Sequence, residues 1–410
     1  MGFVTRYPIS QSSADVSPIL GRSSVITTFT ESSARAQQPL SARSGVIVHE
    51  WVERWGGAER VLEAMADAFP DADIRVLWSD APGLSDRTVT ESWLARTPLR
   101  QHKALALPAM LPTWRMPLRS TPEWVLVSSH LFAHHVRAPW PTKKFVYTHT
   151  PARYIWEPER DHRGNNPMVR AASALLKPID RRRAAEATSI AVNSGFTGQR
   201  VLDAWHQPST TIYPPVNTEL LTTIEDWRSP LVDSEQRLLD SLKRPYLLGA
   251  SRFVIYKQLE KVIEAGVAAR LPVVIAGSGP SEARLRSFAD QVGADVTFVI
   301  SPSDELIRAL YSNAIAYVFP AIEDFGIMPV EAMACGTPVI GSDIGGVHES
   351  VSLVGGGVTA DLEHDTDWND LLQQATALDS ADFRPKTLAF SRGRFIEQLH
   401  EFVGSGLDAR

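Results

Sequence analysis

At 410 residues the chain is long enough for two ordinary domains, and with 44% apolar and 21% charged residues it reads as globular rather than disordered. A net charge of -6 excludes a general nucleic-acid binder, and the single cysteine, Cys335, excludes an intrachain disulfide. No apolar run approaches the roughly 20 residues of a membrane helix, and the N-terminal stretch lacks the apolar centre of a secretory signal. The expected location is therefore the cytoplasm, with peripheral contact at the inner face of an anionic membrane as a further expectation.

Residues 1–44 are rich in Ser, Ala, Thr and Gln without periodicity, which predicts a disordered tail. Order is expected from Gly45-Val46-Ile47-Val48, a short buried strand. Gly56-Gly57-Ala58-Glu59-Arg60 then opens an amphipathic helix running to about Phe69. A glycine pair between strand and helix lets a ligand approach the backbone closely. Ile74–Trp78 reads as a second strand. Asp71-Ala72-Asp73 mimics a metal-binding pair but precedes that strand, so it reads as a solvated turn. Between Arg96 and Trp124 five cations (Arg96, Arg100, Lys103, Arg115, Arg119) are interleaved with Leu, Met, Trp and Pro. Two readings stay open there: irregular helices with a solvated face, or a surface for anionic lipid or a lipid diphosphate.

Trp124–Ser128 and Phe145–Thr148 predict two more strands. His149 stands just past the second, at the strand end where open α/β sheets bind ligands. His130, His134 and His135 follow the first. With no carboxylate or cysteine nearby in sequence, they are not read as a metal site. Ser189–Asn193 is a further strand, and Pro214-Pro215 makes a stiff exit. Residues 222–244 are polar and are expected to hold a linker and a helix.

Tyr246–Ala250 predicts the first strand of the second half. Arg252 and Lys257 flank the turn after it, where cations can meet a diphosphate. Val273–Gly277 enters Gly277-Ser278-Gly279-Pro280, where Glu282 occupies the place of the third glycine in a dinucleotide fingerprint. Val296–Ile300 is the next strand. Residues 319–350 then read FPAIEDFGIMPVEAMACGTPVIGSDIGGVHES. A buried strand ends at Phe319, a loop carries Glu323, Asp324 and Gly326, a helix is predicted from Pro329 to about Cys335, and Pro338–Ile340 is another strand. Glu323 lies on the loop and Glu331 is expected near the third helical position. Free N–H groups at the helix start favour an anion, and each carboxylate suits a vicinal diol. An anionic, polyhydroxylated ligand such as a nucleotide sugar satisfies both.

This stretch resembles the E-x7-E signature of retaining glycosyltransferases of family 4, which have the GT-B fold. YTHTPARYIW, from Tyr147 to Trp156, is similar to the matching segment of GDP-mannose-dependent O-antigen mannosyltransferases. The resemblance covers about residues 45–405. It implies an α/β protein of two Rossmann-like parallel-sheet domains facing a cleft. Residues 45–225 would bind the acceptor, 235–385 the nucleotide sugar, and 386–410 would form a helix and tail crossing back to the first domain. The implied reaction moves a hexosyl group, mannosyl from GDP-mannose, with retention to a glycan or lipid-linked acceptor, with no metal or other cofactor. The implied catalytic residues are His149, Glu323, Arg252 and Lys257. Donor contacts would add Gly56, Gly57, Ile300, Asp324, Phe325, Gly326, Ile327 and Glu331, and acceptor contacts His130, Arg153 and Tyr154. Gln258 departs from the family, which usually has Gly or Arg after the lysine. A sugar phosphorylase, a nucleotide-sugar epimerase and a non-catalytic nucleotide-sugar binder remain as alternatives. Arg252, Lys257, Glu323 and Glu331 occurring together favours an enzyme.

Overall fold

The computed structural model describes residues 44–53, 56–80, 87–157, 167–364 and 366–408, without the side chains of Tyr154 and residues 167–172. The expected tail lies outside the described residues except for Ser44, whose carbonyl accepts the Glu123 N–H at 2.9 Å.

Two parallel sheets form. The first comprises β1 (Gly45–His49), β2 (Asp73–Val76), β3 (Val89–Glu91), β4 (Trp124–Ser129), β5 (Lys143–Thr148), β6 (Ser189–Val192) and β7 (Thr210–Thr211), in the order β3-β2-β1-β4-β5-β6-β7. The second comprises β8 (Leu247–Ala250), β9 (Val273–Gly277), β10 (Val296–Ile300), β11 (Ala316–Phe319), β12 (Val339–Ser342) and β13 (Gly357–Ala360), in the order β10-β9-β8-β11-β12-β13. Strands β1, β4, β8 and β11 are buried along their whole length. That is why they read as short, nearly continuous apolar runs. The strand order reverses at β1/β4 and again at β8/β11. At such a reversal the connections leave for opposite faces and open a crevice beyond the carboxyl ends. His49 and Ser129 end the strands at the first crevice, and Ala250 and Phe319 at the second.

Helices cover both faces of the first sheet. One face packs Val46 and Val48 against Met110, Trp114 and Trp205. The other packs Ile47, Phe145 and Tyr147 against Met65 and Phe69 of the first helix, and against Phe395, Leu399, Phe402 and Val403 from the far end of the chain. The helix Arg392–Asp408 thus crosses back and completes the first domain's core. Phe402 meets Phe145 at 5.6 Å between ring centroids and His400 donates to Ala68 O at 2.8 Å. A Cβ at Gly406 would lie 2.3 Å from Phe145 Cε1, so only glycine allows this approach. The stretch expected to contain a linker is packed rather than free: Trp227 and Leu231 are buried in the second domain's core, with Arg308 over the Trp227 ring at 5.1 Å. Among the described residues no helix is long and apolar enough to cross a membrane.

Candidate active site

The central loop runs from β11 into the helix Ile327–Ala334. The helix starts two residues before Pro329, which instead takes its third position. That is still inside the first turn, where a missing N–H goes unnoticed. Gly326 precedes the helix at φ 86, and a Cβ there would lie 2.7 Å from Val347 Cγ2. Gly326 has no side chain to cap the helix, so its first N–H groups remain uncapped. Gly336, at φ 89, ends the helix in the left-handed conformation expected of it. Glu331 occupies the fifth helical position, not the third. Its carboxylate is turned to the first domain, where Arg60 Nη1 lies at 2.9 Å. Burial raises the Glu331 carboxyl above its ordinary range, against the pull of Arg60.

Glu323, on the loop, is ion-paired to Lys257. Lys257 is 8% exposed, lies over the Phe319 ring at 5.3 Å and closes a short 3₁₀ turn after β8. Arg252, at the end of β8, is exposed and donates to Tyr256 Oη at 2.6 Å. Gln258 adopts φ 50. A left-handed backbone there explains a family preference for glycine after the lysine.

Asp324 faces the first domain. Arg153 Nη2 is 2.5 Å away, Arg200 also pairs with the carboxylate, and the Ser194 hydroxyl donates to the Asp324 carbonyl. Arg200 is held by Glu157 at 2.6 Å and Thr150 Oγ1 at 2.7 Å. Close by, Glu349 accepts the Gly195 N–H at 2.7 Å and the Tyr213 hydroxyl at 2.8 Å. Gly195 starts a helix whose N–H groups favour a carboxylate. Arg153, expected to touch an acceptor, is engaged by Asp324. Asp324, expected to contact the donor, serves the domain contact. Phe325 is buried against Tyr213 and Phe390, and a Cβ at Gly57 would meet Ile327 Cδ1 at 3.2 Å. The glycine pair thus faces the loop helix across the cleft. Gly56 is extended at φ -168 and Ile300 stands exposed at the end of β10. The Tyr154 side chain lies outside the described residues.

At the carboxyl ends of β1, β4 and β5 the first domain carries a histidine cluster. The parallel register sets His49 beside Ser128, and Ser128 beside Tyr147, two residues before His149. Ser128 Oγ lies 2.9 Å from His49 Nδ1 and 2.8 Å from His149 Nε2. Burial, with His130 and His49 close by, holds His149 well below the usual imidazole range, and burial with His130 brings His49 down to about 4. Glu50, fully buried, accepts N–H groups from Leu131 and Ala133 at 2.8 Å each and from His130 at 3.2 Å. Burial disfavours its charge, but the neighbouring histidines and these N–H groups win, and its carboxyl lies below the ordinary range. His130 rests edge-on against Trp51 at 4.9 Å, with Nδ1 3.4 Å from Glu50.

Residues 233–384 match the family model described as "Glycosyl transferases group 1". The second domain is a group 1 glycosyltransferase domain. Over 87 residues the chain is 39% identical to the O-antigen chain mannosyltransferase RfbU of Salmonella typhimurium, covering 21% of this chain and 24% of that protein. Over 102 residues it is 33% identical to a D-inositol 3-phosphate glycosyltransferase of Paenarthrobacter aurescens, covering 23% and 24%. The chain therefore spans about a quarter of the length of these curated relatives. Anabaena HepE, solved in complex with UDP-glucose, superposes with a TM-score of 0.65 at 18% identity, covering 88% of this chain and 99% of that one. Sucrose-phosphate synthase from Thermosynechococcus elongatus gives 0.65 at 18%, covering 90% and 100%. The fold is GT-B, with the group 1 domain carrying Arg252, Lys257, Glu323 and Glu331.

Opposite the group 1 domain, sequence order concealed one cluster. His134 and His135 lack a nearby carboxylate in sequence, but folding brings Asp180 to them. His135 Nε2 lies 2.8 Å and His134 Nε2 3.0 Å from Asp180 Oδ1. The reason given for excluding a metal there therefore falls. The carboxylate is nevertheless already satisfied: Trp156 and Trp205 donate indole N–H groups to its other oxygen at 2.8 and 2.7 Å. This is a buried hydrogen-bond hub tying the helix Pro167–Ala184 to the turn after β4 and to the helices that end at Trp156 and Trp205. Burial, with His134 adjacent, lowers His135 to about 4. The residues of the candidate site that sequence leaves unassigned are Arg60, Arg200, Glu349, Ser128 and Glu50, each placed by a partner distant in the chain.

Neutral buried histidines set a pH dependence. His49 and His135 protonate near 6.5 when unfolded and near 4 when folded, and His149 is lowered as well. Between those values the unfolded chain binds more protons, so stability rises with pH and is lost as pH falls from about 6.5 towards 4. At 1.36 kcal/mol per pK unit the loss is on the order of several kcal/mol. Urea midpoints at pH 8, 6 and 4.5 check it: equal values at all three would contradict neutral burial.

Proposed function

We propose that the chain transfers a hexosyl group from a nucleotide sugar to a glycan or lipid-linked acceptor, with retention of configuration. The observation carrying this reading is the paired arrangement of the two glutamates. Glu323 sits against Lys257, Glu331 sits against Arg60, and both flank an uncapped helix start facing the glycine pair. In this reading Glu323 holds the transferred sugar and Glu331 the ribose. Lys257 and Arg252 neutralise the leaving diphosphate, the role a metal plays elsewhere. His149 orients the sugar at the reacting carbon, and His130 borders the acceptor. No side chain is assigned as nucleophile.

The finer reading is mannosyl transfer from GDP-mannose without a divalent ion. The likeness of residues 147–156 to O-antigen mannosyltransferases supports the sugar. UDP-glucose in HepE supports a nucleotide sugar more broadly. Peripheral membrane contact stays part of the proposal on a reduced basis. Arg100, Lys103 and Arg115 pair with Asp80, Glu53 and Glu186, which leaves Arg96 and Arg119 without an ion pair among the described residues.

A thermal-shift panel of GDP-mannose, GDP-glucose, UDP-glucose and the free diphosphates tests the donor. GDP-mannose is expected to raise Tm most. No shift with any of them would sink the reading. Turnover is expected to persist in excess chelator; complete loss restored by Mg²⁺ or Mn²⁺ would overturn the role given to Lys257 and Arg252.

A further inference from the structure

Three strands end side by side beneath His149. His49 closes β1, Ser128 lies at the end of β4, and His149 follows β5. Because parallel register places His49 opposite Ser128 and Ser128 opposite Tyr147, the side chains of 49, 128 and 149 share one face of the sheet. They form one chain, His49 Nδ1 to Ser128 Oγ at 2.9 Å and Ser128 Oγ to His149 Nε2 at 2.8 Å. His49 and Ser128 are completely buried, while His149 is half-buried.

The order of protons along this chain follows from its ends. One serine hydroxyl has one hydrogen, so it donates to one ring and accepts from the other. If Ser128 donated to His49, the His49 proton would sit on Nε2, which is buried with no partner. A buried orphan N–H is rare. If Ser128 donates to His149 Nε2, His49 Nδ1–H donates to Ser128 and no buried N–H is stranded. His149 then carries its proton on Nδ1, which has no protein partner among the described residues and is left to donate to a ligand.

We propose that Ser128 and His49 are positioning residues: they hold the His149 ring in place and fix it as the Nδ1–H tautomer, a hydrogen-bond donor to the sugar. This rests on the role given to His149 above. Glu50 is the third part of the arrangement. By taking the N–H groups of residues 130, 131 and 133 it fixes the loop that carries His130 against the His49 and His149 rings. Glu50, His130 and Tyr147 are the other titratable groups that pack around the three.

The test is a double-mutant cycle on the full chain, with GDP release from GDP-mannose as the kinetic readout. Ser128→Ala is expected to lower kcat about tenfold, within the range of couplings between contacting residues, leaving GDP affinity unchanged and lowering Tm by a few degrees, because it strands a buried His49 N–H. In a His149→Ala background it should have no further effect. His49→Ala should resemble Ser128→Ala, and His49→Asn, which keeps a donor near the position of Nδ1, should recover most of the loss. Ring ¹⁵N spectra give a readout independent of turnover: His149 should be the Nδ1–H tautomer in the native chain and a mixture of tautomers in Ser128→Ala. Additive losses in the cycle, an unchanged tautomer, or no loss of kcat in Ser128→Ala would overturn the proposal. Should Ser128→Ala unfold, the His49→Ala and His49→Asn pair carries the same test. Full activity in His149→Ala would instead remove the role of His149 itself, a separate failure read from the single mutant.

Discussion

Glu323→Ala is expected to lower kcat by about 10²-fold or more, the size of removing one preorganised group at a centre where charge develops. The variant should bind free nucleoside diphosphate normally, because that ligand lacks the sugar. Glu331→Ala should fail in the opposite way. The ribose is unchanged by the reaction, so its loss weakens ground and transition states alike, raising the donor KM and sparing kcat. The partners sharpen the contrast. Removing Glu323 strands Lys257, a nearly buried cation, and should cost a few degrees of Tm, which Lys257→Met in the same chain should restore. Removing Glu331 frees Arg60, which is half-exposed and can turn to water. Steady-state kinetics with parallel diphosphate titrations decide the matter. Equal loss of kcat with normal diphosphate binding in both variants would refute the division of labour.

Ending the chain at Ser391 is expected to abolish folding of the first domain. The deleted helix buries Phe395, Leu399, Phe402 and Val403 against the first helix, β5 and β6. At about 1.5–3 kcal/mol for each large apolar side chain, the loss is roughly 6–12 kcal/mol. That matches the whole stability of an ordinary domain. A milder version is Phe402→Ala, expected to cost about 3–5 kcal/mol in a urea titration. A truncated chain that stays soluble, binds nucleotide and unfolds at an unchanged midpoint would contradict the role assigned to this helix.

What could be read ahead of the structure was whatever is encoded locally. The buried parallel strands announce themselves as short apolar runs, and the glycines at 326 and 336 mark both ends of the loop helix. Hence the two-sheet architecture and the E-x7-E loop were legible. The helix start was misplaced because proline is tolerated throughout the first turn, so Pro329 marks a turn rather than a residue. The edge strands β3 and β13 are not legible because they are three and four residues long and partly exposed, with no apolar run to reveal them, whereas the strand before Pro214-Pro215 is legible, although only Thr210–Thr211 pairs as β7. Partnerships escaped for a different reason. Asp180 is 45 residues from His135, and Arg60 is 271 from Glu331. No pattern along the chain records such a distance. Arg153 illustrates the limit: its place in a motif was evident, but whether it would face a ligand or Asp324 depended on the second domain.

The grip of Arg153, Arg200 and Ser194 on Asp324 has a kinetic consequence. The residue they hold is the immediate neighbour of Glu323, so the loop to which the proposed function assigns the donor sugar is moored to the opposite domain. Spreading the domains would have to break these contacts, so their strength would bias any equilibrium between closed and open forms. Where release rather than chemistry is the slow step, the dwell time of the spent nucleotide becomes the lifetime of those pairs. Because Arg200 and Asp324 are largely buried, salt screens this mooring only weakly, and substitution of Arg153 or Arg200, rather than ionic strength, is what would loosen it while leaving the reacting bond untouched.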